Sequence, residues 1–109
     1  TKTAVEILDR IKETVSCQTE VHFDLFTLSA QLTDANSAIF DAANGFRGCI
    51  AGINEVLRRQ GLMATNLCLK DHERLSPGQS EEIDRVCRSY PWLTDDFFVH
   101  THLEEWLKG

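Results

Sequence analysis

Apolar residues recur at helical spacing along most of this chain. Between residues 21 and 42, alternating steps of four and three place one set on a single stripe of one long helix: Val21, Leu25, Leu28, Leu32, Ala35, Ile39 and Ala42. Asn44 and Gly45 both tolerate the left-handed conformation that closes a helix, so they predict a turn between helices. The stripe is also a face through which two copies of the chain could dimerise.

The first segment is predicted to form an amphipathic helix that ends near Ser16. Thr3 and Glu6 have the spacing of a capping box, in which a hydroxyl and a carboxylate satisfy the free N–H groups of a helix start. Glu6 and Arg10 follow four residues apart, the spacing of a stabilising ion pair on a helix surface.

The third helix is predicted to carry an apolar face from Phe46 onward and to stop before Gly61. Gly48 and Gly52 lie one turn apart on it. Each glycine costs on the order of 1 kcal/mol of helix propensity relative to alanine, so we expect another backbone to pass close to that side. Residues 62–75 show no period and are predicted to form a surface connection.

Two more helices are predicted toward the end of the chain. Ser76, Pro77 and Gln79 supply an N-cap, a proline at the first helical position and a capping-box glutamine. Pro91 ends this helix because it lacks an N–H donor, and Thr94 is expected to cap the last helix. The five helices together predict an all-α fold, packed as an orthogonal or bundle-like arrangement in a single domain over residues 1–109.

Composition narrows the classes of partner. The formal net charge of -6 would repel phosphate backbones and anionic lipid surfaces, which argues against nucleic acid and membrane partners. No apolar run approaches the roughly 20 residues that span a bilayer, and no basic-then-apolar leader is visible. We therefore expect a soluble, cytoplasmic chain.

Four cysteines are spread widely along the chain, and none forms a CxxC pair. A disulfide-stapled mini-domain would crowd its cysteines, and a structural zinc site would show closely spaced ligands. The pattern therefore favours buried thiols over a disulfide framework or a zinc site at Cys17, Cys49, Cys68 and Cys87.

Few carboxylates or cations stand out as candidate catalytic or binding groups. Asp34 and Asp41 lie seven residues apart on one helical face, a spacing that suits paired catalytic carboxylates but equally suits solvated aspartates. Arg58 and Arg59 could pair with a carboxylate of a partner, although a helix dipole explains two cations at this helix end equally well. No nucleotide-binding or nucleophile-elbow motif is present in the sequence.

Metal-ligating residues are equally sparse. Cys68 and His72 could share a metal ion, but no second ligand pair follows at a zinc-like spacing. His100 and His102 are two residues apart, so on a helix they point away from each other. His22 is expected to be a surface or capping residue. The sequence therefore assigns no catalytic, cofactor-binding or metal-ligating residue, and no cofactor.

Large aromatic rings are numerous for a small helical chain. An interface could use some of them, but for any single ring a place in the chain's own core is the favoured interpretation. The rings concerned are Phe23, Phe26, Phe40, Phe46, Trp92, Phe97, Phe98 and Trp106.

Two segments resemble a known enzyme family. One begins at Leu32, includes Asn36, Phe40 and Asn44, and ends RRQGL at Leu62; the other is LSPGQSEEIDRV, residues 75–86. Together they are similar to the C-terminal helical region of the dihydrodipicolinate synthase / N-acetylneuraminate lyase family, and the resemblance covers most of the chain. Gly45 departs from better-known members, many of which carry a proline after the asparagine.

The resemblance implies a longer parent enzyme with an N-terminal (β/α)8 barrel. Such lyases form a Schiff base between a barrel lysine and pyruvate or a related 2-oxo acid, and a tyrosine relays protons. Neither Tyr90 nor any of the four lysines matches the family's catalytic motif. The resemblance therefore implies that this region has a structural or oligomerisation role and no activity alone. Its partners would be the rest of the barrel enzyme, identical subunits, or both. The alternative is a free-standing helical module that dimerises or binds another protein.

Overall fold

A computed structural model describes residues 2–18 and 20–109 and contains, in that part of the chain, only helices, turns and loops. Its five α-helices confirm the predicted all-α class and helix number. They are α1 (Lys2–Ser16), α2 (Phe23–Ile39), α3 (Cys49–Arg59), α4 (Gln79–Ser89) and α5 (Asp96–Leu107), with short 3₁₀ turns at Ala42–Asn44 and Pro91–Leu93. No helix among the described residues is both long enough and apolar enough to cross a bilayer.

Helix α1 ends at Ser16 as predicted, but the capping box at its start is wrong. Thr3 lies inside the helix, and its backbone N–H and hydroxyl both donate to Oδ1 of Asp95, at 2.9 and 2.7 Å. A hydroxyl that serves a residue 92 positions away is not available to cap its own helix. The polar contact instead ties the first turn of α1 to the start of α5.

The expected pairing of Glu6 with Arg10 is also wrong. Glu6 pairs with Lys2 one turn earlier, and Arg10 donates to both carboxylate oxygens of Asp24, at 2.7 and 2.6 Å. This second bridge holds the middle of α1 beside the first turn of α2.

The single long helix predicted over residues 21–42 is shorter than its apolar stripe. Helix α2 stops at Ile39, because Asp41 adopts a left-handed conformation with φ of 59°. A 3₁₀ turn follows, and Gly45 and Phe46 are also left-handed, with φ of 63° and 65°. The predicted turn near Gly45 is therefore present, but it begins four residues earlier than the glycine.

The close approach of another backbone, predicted at Gly48 and Gly52, is confirmed at Gly52 only. A Cβ atom on Gly52 would overlap the carbonyl oxygen of Ile39, and one on Gly48 would overlap the side chain of Gln79. Because no side chain separates the end of α2 from the start of α3, the amide of Gln79 can reach backbone carbonyls of both. Gly52 thus lets α3 lie directly against the end of α2, whereas Gly48, just before α3, leaves room for the Gln79 side chain.

Helix α4 begins at Gln79, two residues after the predicted first helical position at Pro77, because Gly78 adopts a left-handed conformation with φ of 82°. Part of the predicted cap is nevertheless present. Gln79 Oε1 accepts a hydrogen bond from the Ser76 N–H at 3.0 Å, as in a capping box, but the Ser76 hydroxyl donates elsewhere. The helix ends at Ser89, just before Pro91. Thr94 does not cap α5, because its hydroxyl donates back to the Pro91 carbonyl at 2.9 Å.

The core is small and consists mainly of contacts of α2 with α4 and α3. Its buried apolar side chains are Ala38, Ala51, Ile83, Val86 and Val99. Six of the eight aromatic rings considered above are exposed, so the expectation that each would fill the chain's own core fails for most of them. All four cysteines are free thiols; Cys17 is exposed and the other three are half-buried, which corrects the expectation of buried thiols.

Candidate functional site

One buried polar cluster centres on Asp41, a carboxylate that is only 3% exposed. Its Oδ2 accepts hydrogen bonds from the Gly48 N–H at 2.8 Å and the Ser76 hydroxyl at 2.6 Å, while Oδ1 accepts from Asn44 Nδ2 at 2.7 Å. Burial raises the pKa of Asp41, but these three donors outweigh it and hold the pKa below its ordinary value. The donors also stabilise the left-handed backbone of this residue, which costs about 1 kcal/mol by itself.

Gln79 completes this cluster from the start of α4. Its Nε2 lies 3.0 Å from the Gly48 carbonyl oxygen and 3.2 Å from that of Ile39, and the side chain is buried. The amide therefore satisfies carbonyls at the end of α2 and at the start of α3, while its oxygen accepts from Ser76. We call Asp41, Ser76 and Gln79 the clasp, because they join α2, α3 and α4 at one point.

Asp34 belongs to a separate cluster on the exposed side of α2 and α4. Arg85 donates to both of its carboxylate oxygens, at 2.8 and 2.9 Å, and the Tyr90 hydroxyl donates at 2.8 Å. The Arg85 guanidinium, followed by the Tyr90 hydroxyl, lowers the pKa of Asp34 to about 2. The two aspartates thus serve different helix contacts, and each has its oxygens occupied by donors, although both line one cavity of about 340 Å³ beside the start of α4.

Glu55 is a buried ion-pair centre that sequence reasoning missed. Its side chain is 4% exposed and accepts hydrogen bonds from Arg58, Arg59 and Asn66 at 2.8 to 2.9 Å. The Arg58 bond, opposed by burial and reinforced by Arg59 and Asn66, lowers the pKa of Glu55 to about 2. Arg59 also pairs with Asp84 on α4. A glutamate followed by arginines three and four positions later was the available sequence signal.

The pairing at Glu55 bears on the two arginines that were considered for partner binding. Arg58 and Arg59 both direct donors to Glu55, and Arg59 reaches across to α4. Their first role is therefore to neutralise a buried carboxylate within the chain and to join α3 to α4.

The candidate metal ligands do not form a cluster. Cys68 contacts Asn54 and the carbonyl of Asn66, and His72 is exposed. His102 lies 2.8 Å from the Phe98 carbonyl through Nδ1 and stacks on the Trp106 ring, with centroids 5.4 Å apart. Across residues 2–18 and 20–109, no three side chains of His, Cys, Asp or Glu converge as a metal site would require.

A cleft of about 440 Å³ separates α5 from the other helices. Apolar side chains of α2, α3 and α5 line it, including Ala35, Leu57 and Val99, and the half-buried Cys87 contributes from α4. Burial raises the pKa of the Cys87 thiol, so it stays protonated and weakly polar near neutral pH. The exposed ring of Trp106 lies at the edge of the cleft.

A second apolar feature is an uncovered face on α1 and the start of α2. Helix α1 buries none of its residues, although its apolar positions form one stripe. Val5, Leu8, Ile11 and Val15 are 43–71% exposed, and Phe23 and Phe26 on α2 are 81% and 62% exposed. We call the four α1 side chains the α1 face.

Comparison with known proteins adds no relative: no family model, curated protein or solved structure matches this chain.

Proposed function

We propose that this chain is a helical packing region of a larger carbon–carbon lyase, similar to the C-terminal helices of the dihydrodipicolinate synthase / N-acetylneuraminate lyase family. The proposal rests on the resemblance of LSPGQSEEIDRV and the segment ending RRQGL, and on one physical observation, the uncovered α1 face. In this proposal the chain binds the catalytic barrel or identical subunits and has no active-site residue of its own.

The α1 face supports a packing role because of its size. Burial of one large aliphatic side chain stabilises a protein by about 1.5–3 kcal/mol, so covering four that are roughly half exposed would contribute about 3–6 kcal/mol. The described contacts that tie α1 to the rest of the chain include the polar ones at Asp95 and Asp24. They leave its apolar stripe available to another surface.

The lysines of the chain fit a structural role better than a catalytic one. A Schiff-base lysine needs a desolvated environment that lowers its pKa enough to free the amine. Lys2, Lys12, Lys70 and Lys108 are all exposed, and the Tyr90 hydroxyl already donates to Asp34. In the proposed lyase the reacting lysine therefore lies outside these 109 residues.

A pair of charge-matched variants tests the packing role. Leu8→Lys and Asp9→Asn each raise the net charge by one unit at neighbouring exposed positions of α1. We expect Leu8→Lys to reduce self-association of the chain in sedimentation velocity. At protein concentrations where the wild-type chain is monomeric, its unfolding midpoint should stay unchanged, because Leu8 is not part of the chain's own core. Asp9→Asn should change neither. A lower unfolding midpoint in Leu8→Lys alone would show that the α1 face packs internally, and would refute the proposal.

The lyase assignment needs a separate experiment on the product of the natural gene. Its intact mass comes first, because an untruncated product near 12.4 kDa would leave no room for a barrel. If the mass is larger, incubation with pyruvate and borohydride should reduce a Schiff base onto a lysine outside residues 1–109, located by peptide mapping. An adduct on Lys2, Lys12, Lys70 or Lys108, or no adduct at all, would exclude the proposed chemistry.

The alternative, a free-standing dimerisation module, predicts a different result from the same sedimentation experiment. Such a module should show one defined stoichiometry at 12.4 kDa per subunit, with no further covering protein. The observation that favours this candidate is the exposure of the Phe23 and Phe26 rings beside the proposed dimer stripe. Ala35 and Ile39, at the other end of the proposed dimer stripe, already line the cleft inside the chain.

A further inference from the structure

We infer that the cleft between α5 and the other helices is a binding site for an uncharged, ring-containing small molecule. This inference is independent of the proposed packing role, because the cleft and the α1 face use different residues. Three features carry it: the volume of the cleft, its apolar lining, and the way its charged groups are already paired.

The volume suits a ligand larger than a single ring. An apolar cavity of about 150 Å³ is enough to hold benzene, and small-molecule sites in proteins commonly measure about 300–1,000 Å³. The cleft measures about 440 Å³. It is open to solvent at its edge, because Lys2, Asp96 and Trp106 line it and are all exposed. A two- or three-ring molecule could therefore enter without rearrangement of the core.

The lining favours an apolar ligand over water. Ala35 and Ile39 from α2, Leu57 from α3, and Phe98 and Val99 from α5 present hydrocarbon to the space. Water against this hydrocarbon side of the cleft has fewer polar partners than water at the edge near Gln60 and Asp96, so a ring that covers the apolar side displaces it readily. The aromatic edges of Phe98 and Trp106, 5.7 Å apart between ring centroids, add a surface suited to a flat ring.

The charged groups around the cleft explain why the ligand should be uncharged. Arg59 is held by Glu55 and Asp84, and Lys2 by Glu6. Asp96 accepts from Gln60 at 3.0 Å, and Asp95 accepts from Thr3 at 2.7 and 2.9 Å. A charged ligand would have to compete with these bonds or enter the apolar space unpaired, and an unpaired buried charge is strongly unfavourable.

A matched pair of fluorescent probes tests the charge preference. Phenylnaphthylamine is uncharged, whereas anilinonaphthalenesulfonate has the same ring system with one added sulfonate. We expect the full chain to bind the uncharged probe about tenfold more tightly or better, a difference of about 1.4 kcal/mol. In a Trp92→Phe variant, Trp106 is the remaining tryptophan, so binding in the cleft should quench its emission by energy transfer to the probe. Equal affinity for the two probes would overturn the inference.

Paired variants on α2 locate the probe. Ala35 lines the cleft, whereas Ala30 on the same helix is exposed and does not. We expect Ala35→Phe to fill part of the cleft and weaken phenylnaphthylamine binding by about tenfold or more, with Ala30→Phe close to wild type. Equal losses in both variants, or none in either, would place the probe on another surface such as the α1 face and refute the site.

Thiol protection provides a measurement that needs no variant to fold. Cys87 lines the cleft, while Cys17 is exposed elsewhere on the chain. Saturating phenylnaphthylamine should slow alkylation of Cys87 and leave that of Cys17 unchanged, as followed by peptide mass spectrometry. Unchanged Cys87 reactivity would overturn the inference. So would a probe that dissociates a dimer of the Leu8→Lys variant in sedimentation equilibrium, because that dimer does not depend on the α1 face and the cleft would then be occupied by a second copy of the chain.

Discussion

The amide of Gln79 is predicted to be essential to the junction of α2, α3 and α4, and Gln79→Glu tests this with almost no change in shape. The substitution replaces the Nε2 donor, which serves the carbonyls of Gly48 and Ile39, with a carboxylate oxygen that repels them. A buried carbonyl left without its donor costs about 1–3 kcal/mol, so the free energy of unfolding should fall by about 2–6 kcal/mol. That is a large part of the roughly 5–15 kcal/mol that holds most domains together.

The loss at Gln79→Glu should depend on pH in a defined direction. Burial among carbonyl oxygens disfavours the ionised form, so the pKa of the new carboxyl should lie above its unfolded value of about 4.3. Below that value the carboxyl is protonated in both states and can still donate one hydrogen bond. As the pH rises toward the pKa of the folded state, the unfolded chain releases the proton of this carboxyl more readily than the folded chain does. The free energy of unfolding therefore falls. The deficit relative to wild type should therefore grow between about pH 4 and pH 7.

Urea unfolding followed by circular dichroism measures the effect, and Gln31→Glu is the matched control. Gln31 uses its Oε1 to accept from Trp92 Nε1 at 3.0 Å, an interaction that a carboxylate keeps. We expect a change within about 0.5 kcal/mol for the control, as for most surface substitutions. If Gln79→Glu unfolds at the wild-type urea concentration, or if both variants lose equal stability, the clasp does not hold the three helices together.

Two further predictions concern α3. Gly52→Ala should destabilise the chain by about 2 kcal/mol net, because overlap with the Ile39 carbonyl outweighs the roughly 1 kcal/mol gain in helix propensity. The control Gly45→Ala should lose only about 1 kcal/mol, from the positive φ of that residue. Equal losses of the two variants in thermal melts would contradict the close approach at Gly52. The pKa of Glu55 is about 2 in the folded chain and 4.5 in the unfolded chain. Ionised Glu55 therefore stabilises the fold above pH 4.5, and this contribution is lost as the pH falls toward 2. After allowance for the exposed Arg58 partner, this contribution is about 2 kcal/mol. In Glu55→Gln the drop in the free energy of unfolding between pH 7 and acid pH should be smaller by that amount, about 2 kcal/mol.

Controls for Glu55→Gln come from the same chain. Glu81 is exposed on α4, so Glu81→Gln changes the charge equally without removing a buried ion pair. Its acid unfolding curve should follow that of wild type. An equal flattening by Glu81→Gln would attribute the effect to net charge rather than to the contacts at Glu55.

Local signals predicted the helices well where the residues that specify them are neighbours. Periodicity predicted the all-α class, the five helices and the connection without helix at residues 62–75. The missing donor of proline predicted the helix end before Pro91. The close approach at Gly52 also followed from sequence, because a costly glycine inside a helix needs a packing reason. Apart from the approach of Gly52 to Ile39, these features depend on interactions within a few positions of the chain.

The errors occur where a distant residue competes with the local preference. The Thr3 hydroxyl serves Asp95 rather than its own helix, and the Ser76 hydroxyl serves Asp41 across 35 positions. These long-range hydrogen bonds displace the predicted caps, and the donors around Asp41 stabilise the left-handed turn that ends α2 early. The predicted shared helical face of Asp34 and Asp41 is wrong for the same reason, because Asp41 lies beyond the end of α2 at Ile39 and each aspartate binds different partners.

The spacing of side chains around a helix is enough to predict which segments are helical and which of their faces are apolar. Tertiary structure alone decided which apolar faces are covered. The same kind of stripe is half-buried on α2 and exposed on α1, and no pattern within either helix distinguishes them. The burial of Glu55 and the cleft beside α5 were likewise decided by how whole helices meet, since burial is a property of surfaces brought together from distant parts of the chain.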